Sequence, residues 1–216
     1  KKFEPFYYDQ WSGIAKGGCG IPPIMLSKKI EELGGKIYYN NKITNIDIEN
    51  NAIKKVQFEN NEEIEIEKGE VVISSISIKQ VANFLGEECN LKFRPVVLAM
   101  LILNKKEVMP EGLSWLYYDD PKLLFHRITE QKKFNPENFK ENETSLCAEI
   151  TCELNDEFYL SKDEDILKQV IEQMESVNLI KKEDIKEAFV DRIPSVYPVQ
   201  AVGFEHEKTK ILSKIE

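Results

Sequence analysis

The chain has 216 residues, of which 42% are hydrophobic and 31% charged, a composition typical of a globular protein with a buried core. Its formal charge of −9 argues against a nucleic-acid-binding protein, because phosphate contacts need clustered Lys and Arg side chains. No apolar run approaches the ~20 residues of an integral membrane helix. Four cysteines in mostly apolar surroundings, with no CxxC pair, favour reduced core thiols and a cytoplasmic protein.

The first predicted elements follow a glycine-rich turn, Lys16-Gly17-Gly18-Cys19-Gly20. Ile21-Pro22-Pro23 comes next, and proline suits a first helical turn because its missing N–H has no helical partner there. Apolar residues at helical spacing predict a helix that ends at Gly34-Gly35. Runs of alternating polarity separated by Asn50-Asn51 and Asn60-Asn61 then predict an antiparallel β-meander, since Asn tolerates positive φ.

A continuous apolar run, Val71-Val72-Ile73, follows the meander. It predicts a strand that is buried on both faces, as in a layered α/β domain. Ser74 and Ser75 come directly after it, at the carboxyl end where open α/β sheets place ligands. These small residues could admit a dinucleotide or simply turn the chain.

The second half of the chain has longer strands and only one convincing helix. The helix is predicted over 164–177, with a stripe of apolar residues on one side and Ser161 as its N-cap. An antiparallel sheet with a helix on one face is the architecture that this order favours. The predicted strands cover residues 95–104, 114–118, 124–131, 145–153 and 186–193.

Arg127 is the most distinctive polar residue of these strands. It lies on the face opposite His126, Ile128 and Glu130, because strand side chains alternate. Its planar guanidinium could bind an anionic substrate, or it could form an ion pair with Glu149 or Glu153. Tyr117 could line an apolar cavity or pack within the sheet. No Ser/His/Asp or Cys/His set has the spacing of a nucleophilic site, so no catalytic residue and no metal ligand is assigned.

Several segments resemble the FAD-dependent amine oxidase, protoporphyrinogen oxidase and phytoene desaturase superfamily in their order and spacing. Two of them are KGGCGIPPIMLSKKIEELGGKIYYNNKITNIDI (16–48) and GEVVISSIS (69–77). Three later segments are similar to the bacterial protoporphyrinogen-oxidase-like branch, which is related to UDP-galactopyranose mutase. They are FHRITEQKKFNPENF (125–139), TSLCAEITC (144–152) and DRIPSVYPVQAVGFEH (191–206). The resemblance covers nearly the whole chain.

The resemblance implies a fold and a set of domains. Residues 1–92 would form part of a FAD-binding α/β domain, 93–205 an antiparallel substrate domain, and 206–216 the start of a truncated return to the FAD domain. The GxGxxG βαβ unit that holds the pyrophosphate in this superfamily is absent from the sequence. We therefore expect an internal piece of a FAD-dependent oxidoreductase that neither retains FAD nor reacts by itself.

The resemblance also implies site residues. Lys16, Gly17 and Gly18 would border the flavin ring or the substrate, although a phosphate cradle and a plain tight turn are the alternatives. Ile43 would contact the adenine through its main chain, Ser74 and Ser75 would lie near the dinucleotide, and Arg127 and Tyr117 would contact a small-molecule substrate.

In the intact protein, the substrate would pass a hydride to FAD. A flavin-dependent nucleotide-sugar mutase and a non-catalytic domain that binds a ligand or partner stay open as alternatives.

Overall fold

The computed structural model of the chain describes residues 14–50 and 52–214. They form two compact units. One combines residues 14–29 with Phe93–Tyr197, and the other combines Ile30–Lys92 with residues 198–214. The domain boundaries predicted from the resemblance stay a prediction. Parts of the predicted domains 1–92 and 206–216 lie outside the described residues. These parts are residues 1–13, Asn51 and 215–216.

The first unit contains a five-stranded sheet that confirms all five predicted strands. Its strands are β4 (Phe93–Leu103), β5 (Trp115–Tyr117), β6 (Arg127–Glu130), β7 (Thr144–Thr151) and β8 (Ile185–Pro198). Their order in the sheet is β5-β6-β7-β4-β8. Antiparallel pairing joins β4 to β7, with Val96 opposite Thr151 and Leu103 opposite Thr144. The pairs β5–β6 and β6–β7 are antiparallel as well.

One face of this sheet carries the core of the unit. Helices α3 (Glu157–Leu160) and α4 (Asp163–Ser176) supply the covering side chains. Because strand side chains alternate, every second residue of β4 and β7 faces these helices. The predicted antiparallel sheet with a helix on one face is confirmed. The buried residues that form this core include Val97, Ala99, Leu101, Leu146, Ala148, Ile150, Ile166, Val170 and Met174.

The cap predicted for the long helix is wrong. Ser161 ends the short helix α3, and its hydroxyl donates a hydrogen bond to the Glu157 carbonyl at 2.8 Å. The N-cap position of α4 is Lys162, which makes no side-chain cap bond. The carbonyls at the end of α3 need donors, and Ser161 supplies one of them instead of capping α4.

Glu130 is a fully buried carboxylate at the end of β6. One of its oxygens accepts the N–H of Val108 at 2.9 Å and the hydroxyl of Thr144 at 2.7 Å, and the other accepts the N–H of Met109 at 2.7 Å. A buried charge persists only when hydrogen bonds compensate its lost hydration. Glu130 therefore ties the segment between β4 and β5 to the sheet.

A three-stranded antiparallel meander forms part of the second unit and confirms the meander expected from the sequence. Its strands are β1 (Ile43–Glu49), β2 (Ala52–Phe58) and β3 (Glu63–Glu65), in the order β1-β2-β3. The turns hold Asn50 at φ 51° and Asn61 at φ 64°, the left-handed conformation that asparagine tolerates. This unit also contains the helices α2 (Ile78–Phe84) and α5 (Phe204–Leu212), and α1 (Ile21–Glu32) has residues in both units.

The strand predicted at Val71–Ile73 is wrong. These residues are in no strand, and Val71 and Ile73 are 83% and 91% exposed. A strand buried on both faces needs neighbouring strands and covering layers. The described residues of this unit do not provide them, since their buried hydrophobic residues are only Val56, Ala82, Leu91 and Ile211.

Replacing Glu130 by Ala tests the anchor. We expect the free energy of unfolding to fall by about 2–4 kcal/mol, because buried N–H groups lose their acceptor. Urea unfolding followed by circular dichroism measures the change. The exposed Glu141→Ala variant is the control and should stay within about 0.5 kcal/mol of the parent chain. Equal stability of the two variants would contradict this role.

Candidate functional site

The face of the five-stranded sheet turned away from α3 and α4, called the outer face below, holds the predicted substrate residues. Arg127 of β6 lies directly between Tyr117 of β5 and Glu149 of β7. The next row on this face is Trp115, Thr129 and Cys147, because the same strands continue with a period of two residues. Leu98 and Met100 of β4 extend the same rows, opposite Glu149 and Cys147.

The guanidinium of Arg127 is bound on two sides. Its Nε donates to Glu149 Oε1 at 2.7 Å, its Nη2 forms an ion pair with the same carboxylate, and its Nη1 donates to the Tyr117 hydroxyl at 3.2 Å. The Tyr117 ring centroid lies 5.8 Å from the guanidinium carbon. Burial lowers the pKa of Arg127, but the bonds to Tyr117 and Glu149 outweigh it and hold that pKa above its ordinary value.

The structure therefore brings Arg127 and Tyr117 together and confirms the ion pair with Glu149. Three of the five N–H groups of the guanidinium take these acceptors, and the other two have no acceptor among residues 14–50 and 52–214. A substrate role for either residue stays a prediction.

The rest of the outer face is largely apolar and aromatic. Arg94 lies two residues before Val96 on the same side of β4, and it pairs with Glu153 at 3.5 Å. Phe189 of β8 alternates with the core residues Ala188 and Val190, which places it on the outer face. Each of the two arginines thus has a carboxylate partner. The outer face is aromatic and exposed at its β5 edge, where Tyr117 is 66% and Trp115 37% exposed, whereas Thr129 and Cys147 in the middle of the sheet are buried.

The glycine-rich loop belongs to the same unit as this sheet. The Ile14 N–H donates to the Phe134 carbonyl at 3.4 Å, and the Phe134 ring stacks on Trp115 with centroids 6.0 Å apart. The Gly17 N–H donates to Asn138 Oδ1 at 2.8 Å. Lys16, Gly17 and Gly18 are therefore held beside the Trp115 end of the outer face.

The loop does not suit a phosphate. Pro22 and Pro23 have no N–H, and the N–H groups of Ile21 and Ile24 donate to loop carbonyls at 3.2 Å each. The Gly18 N–H donates to the Ala15 carbonyl at 2.8 Å. A helix start binds an anion through free N–H groups, and these bonds occupy the donors of the first turn of α1. The phosphate-cradle alternative is thus disfavoured.

The two glycines give the loop a backbone conformation that other residues rarely adopt. Gly18 has φ 97°, and open space surrounds the position that a side chain would take. Gly17 has φ 91°, and a Cβ there would lie 3.0 Å from the Ile21 side chain. Positive φ at both positions favours glycine. Contact of the loop with a flavin ring or a substrate stays a prediction.

The other predicted cofactor residues belong to the second unit. Ile43 is half-buried at the start of β1, opposite Phe58. Ser74 and Ser75 are exposed and follow the extended segment that forms no strand. Adenine contact for Ile43 and proximity to the dinucleotide for the two serines stay predictions.

Asn135 and Asn138 are residues of this region that the sequence alone did not single out. The Asn-Pro pair at 135–136 signals a turn. No local pattern shows that its amides bond a loop more than a hundred residues earlier in the chain, so this contact is visible only in three dimensions.

Thiol chemistry is disfavoured at the sheet. Burial raises the pKa of Cys147 to about 12 and that of Cys152 to about 11. Because only the thiolate is a nucleophile, both groups are poorly reactive near neutral pH. All four cysteines are free, as predicted, but Cys19 is exposed on the glycine-rich loop and not in a core.

No family model and no curated protein sequence matches this chain. Solved structures do match it. Reduced UDP-galactopyranose mutase aligns over 92% of this chain and 45% of its own, with 18% identity and a TM-score of 0.71. A candidate protoporphyrinogen oxidase from Exiguobacterium sp. 255-15 aligns over 89% of this chain and 43% of its own, with 16% identity and a TM-score of 0.65.

The chain has the fold of these proteins. The superfamily resemblance of the sequence is thus confirmed at the level of the fold, and the chain spans a little under half the length of each structure. A Rab GDI from Plasmodium falciparum also matches, over 94% of this chain and 45% of its own, with 13% identity and a TM-score of 0.52. Among residues 14–50 and 52–214, no helix has the length and apolar character that crossing a membrane requires.

Maleimide labelling of the native chain near neutral pH tests the state of the thiols. We expect Cys19 to react quickly because it is exposed, and Cys147 to react slowly because its raised pKa suppresses the thiolate. Peptide mass spectrometry resolves the sites, and unfolding in urea should make their rates similar. Cys152 should gain reactivity as the pH rises towards 11. Equal native rates for Cys19 and Cys147 would contradict the burial of the sheet.

Proposed function

We propose that this chain is part of a FAD-dependent oxidoreductase related to protoporphyrinogen oxidases and amine oxidases. The observation that supports it most is the agreement between two independent likenesses. The order of sequence motifs resembles that superfamily, and 92% of the chain aligns with UDP-galactopyranose mutase at a TM-score of 0.71. FAD, when bound, supplies the redox chemistry by accepting a hydride from the substrate, and the protein supplies shape and electrostatics.

The residues of the chain would have two roles in this function. Gly17 and Gly18 would border the flavin ring, because neither has a side chain and the Cβ position of Gly18 faces open space. The outer face would form the floor beneath a small-molecule substrate. Trp115 and Tyr117 offer aromatic surface at the β5 end, and Arg127 orients the Tyr117 hydroxyl. A protein of this kind would work in the cytoplasm.

The charges of the outer face favour an apolar ring substrate. A nucleotide sugar brings a diphosphate, and diphosphate sites usually contain arginines that are free to form forked bonds. Here Glu149 and Tyr117 hold Arg127, and Arg94 pairs with Glu153 at 3.5 Å on an exposed part of the face. An oxidation of an uncharged ring compound therefore fits the site better than the mutase reaction.

Two other functions have support of their own. A flavin-dependent mutase is supported by the alignment with UDP-galactopyranose mutase and by the two remaining N–H groups of Arg127. A partner-binding domain without redox activity is supported by the alignment with Rab GDI, which is named for Rab proteins and not for a reaction.

Flavin content tests the proposal. We expect the full-length product of the gene to purify yellow, with FAD released on denaturation. The 216-residue chain should be colourless and hold far less than one FAD per molecule, since the start of α1 provides no pyrophosphate contacts. A full-length product without flavin would contradict the oxidoreductase and would favour the partner-binding domain.

A mutase would also carry FAD, so UDP is the probe that separates these two functions. Calorimetric titration of UDP into the full-length product should give no saturable binding. Saturable binding that Arg127→Met abolishes and Arg94→Met preserves would favour the mutase. The second variant is a matched control, because Arg94 is also an arginine paired with a glutamate on the same face.

A further inference from the structure

The side chain of Asn138 holds the glycine-rich loop by its main chain. Its Nδ2 donates to the Ala15 carbonyl at 3.2 Å, and its Oδ1 accepts the Gly17 N–H at 2.8 Å. A carboxamide has the donor and acceptor of a peptide group, so Asn138 bonds the loop much as a neighbouring strand would. This contact is independent of the loop side chains.

Asn135 adds a second contact from the same short turn. Its Nδ2 donates to the Ile14 carbonyl at 2.8 Å, while its Oδ1 accepts the Glu137 N–H at 3.0 Å. The second bond caps the 3₁₀ turn Pro136–Asn138, in which Pro136 fixes one backbone angle. Asn135 and Asn138 together, called the amide clamp below, are thus preorganised on one turn.

The amide clamp is the main specific contact of the loop with this turn. Lys16 also pairs with Glu137 at 3.1 Å, but the two side chains are 76% and 67% exposed. Exposed ion pairs contribute little to stability because water screens them. The clamp bonds instead fix the direction of the peptide groups next to Gly17 and Gly18.

We propose that Asn135 and Asn138 are positioning residues that set the height and tilt of the Lys16–Gly18 backbone relative to the Trp115 end of the outer face. The hydrogen bonds of the amide clamp do not depend on the presence of a cofactor. Its effect on a cofactor rests on the proposed function, in which Gly17 and Gly18 border the flavin ring. A shift of this backbone would then alter the surroundings of the ring without removing any group that touches it.

Amide hydrogen exchange in the 216-residue chain tests the clamp. In Asn138→Ala, the Gly17 amide should exchange about three- to tenfold faster, because it loses the Asn138 oxygen that accepts its N–H. Asn138→Asp keeps an acceptor for Gly17 but loses the donor to Ala15, so its effect should be smaller. Asn142→Ala, an exposed amide four residues away, is the control. Unchanged Gly17 exchange in Asn138→Ala would overturn the clamp.

The visible spectrum of the full-length product tests the link to the cofactor. We expect Asn138→Ala to keep its FAD but to shift the flavin absorption band, with partial recovery in Asn138→Asp and no shift in Asn142→Ala. Faster Gly17 exchange with a parental flavin spectrum would overturn the cofactor role. If the full-length product holds no FAD, the proposed function fails and the cofactor role falls with it, while the exchange experiment still decides whether the clamp exists.

Discussion

Side chains alternate along the paired strands β4 and β7, and this alternation determines both the core and the outer face of the first unit. Every second residue, such as Ala99 and Ala148, packs beneath α3 and α4 and forms the core of the first unit. The intervening residues are thereby forced onto the outer face, where Glu149 meets Arg127. A one-residue slip in register would exchange the two sets and destroy core and site together. The same alternation therefore produces both the core that stabilises the unit and the candidate site on its outer face.

The second unit lacks such a core. Its meander and helices bury few hydrophobic side chains among the described residues, and Val71 and Ile73 are largely exposed. Burial of apolar area is the main favourable term in the free energy of folding. It therefore stabilises this unit much less than it stabilises the five-stranded sheet. The chain spans a little under half the length of the solved structures with this fold.

The helices, strands and turns that depend on a local sequence pattern were predicted correctly. Alternation located the strands of the sheet, helical spacing located α1 and α4, and positive-φ asparagines located the meander turns. Ser161 was misassigned because two helix ends compete for one hydroxyl. The apolar run at 71–73 failed because burial needs neighbours that a local pattern does not reveal. The sequence predicted an ion pair of Arg127 with Glu149 or Glu153 as one alternative, and the strand register selects Glu149. The amide clamp joins distant segments and leaves no periodic signal.

Burial on one face of the five-stranded sheet stabilises the first unit, while the second unit gains little stability from its own core. Residue-resolved hydrogen exchange of the 216-residue chain measures this difference. Amides of β4 and β7 should be the most protected and should open only with global unfolding, whereas Val71–Ile73 should exchange at nearly the unprotected rate. Strong protection of Val71–Ile73, or protection of β4 no greater than that of β1, would show that the sheet is not the main source of stability.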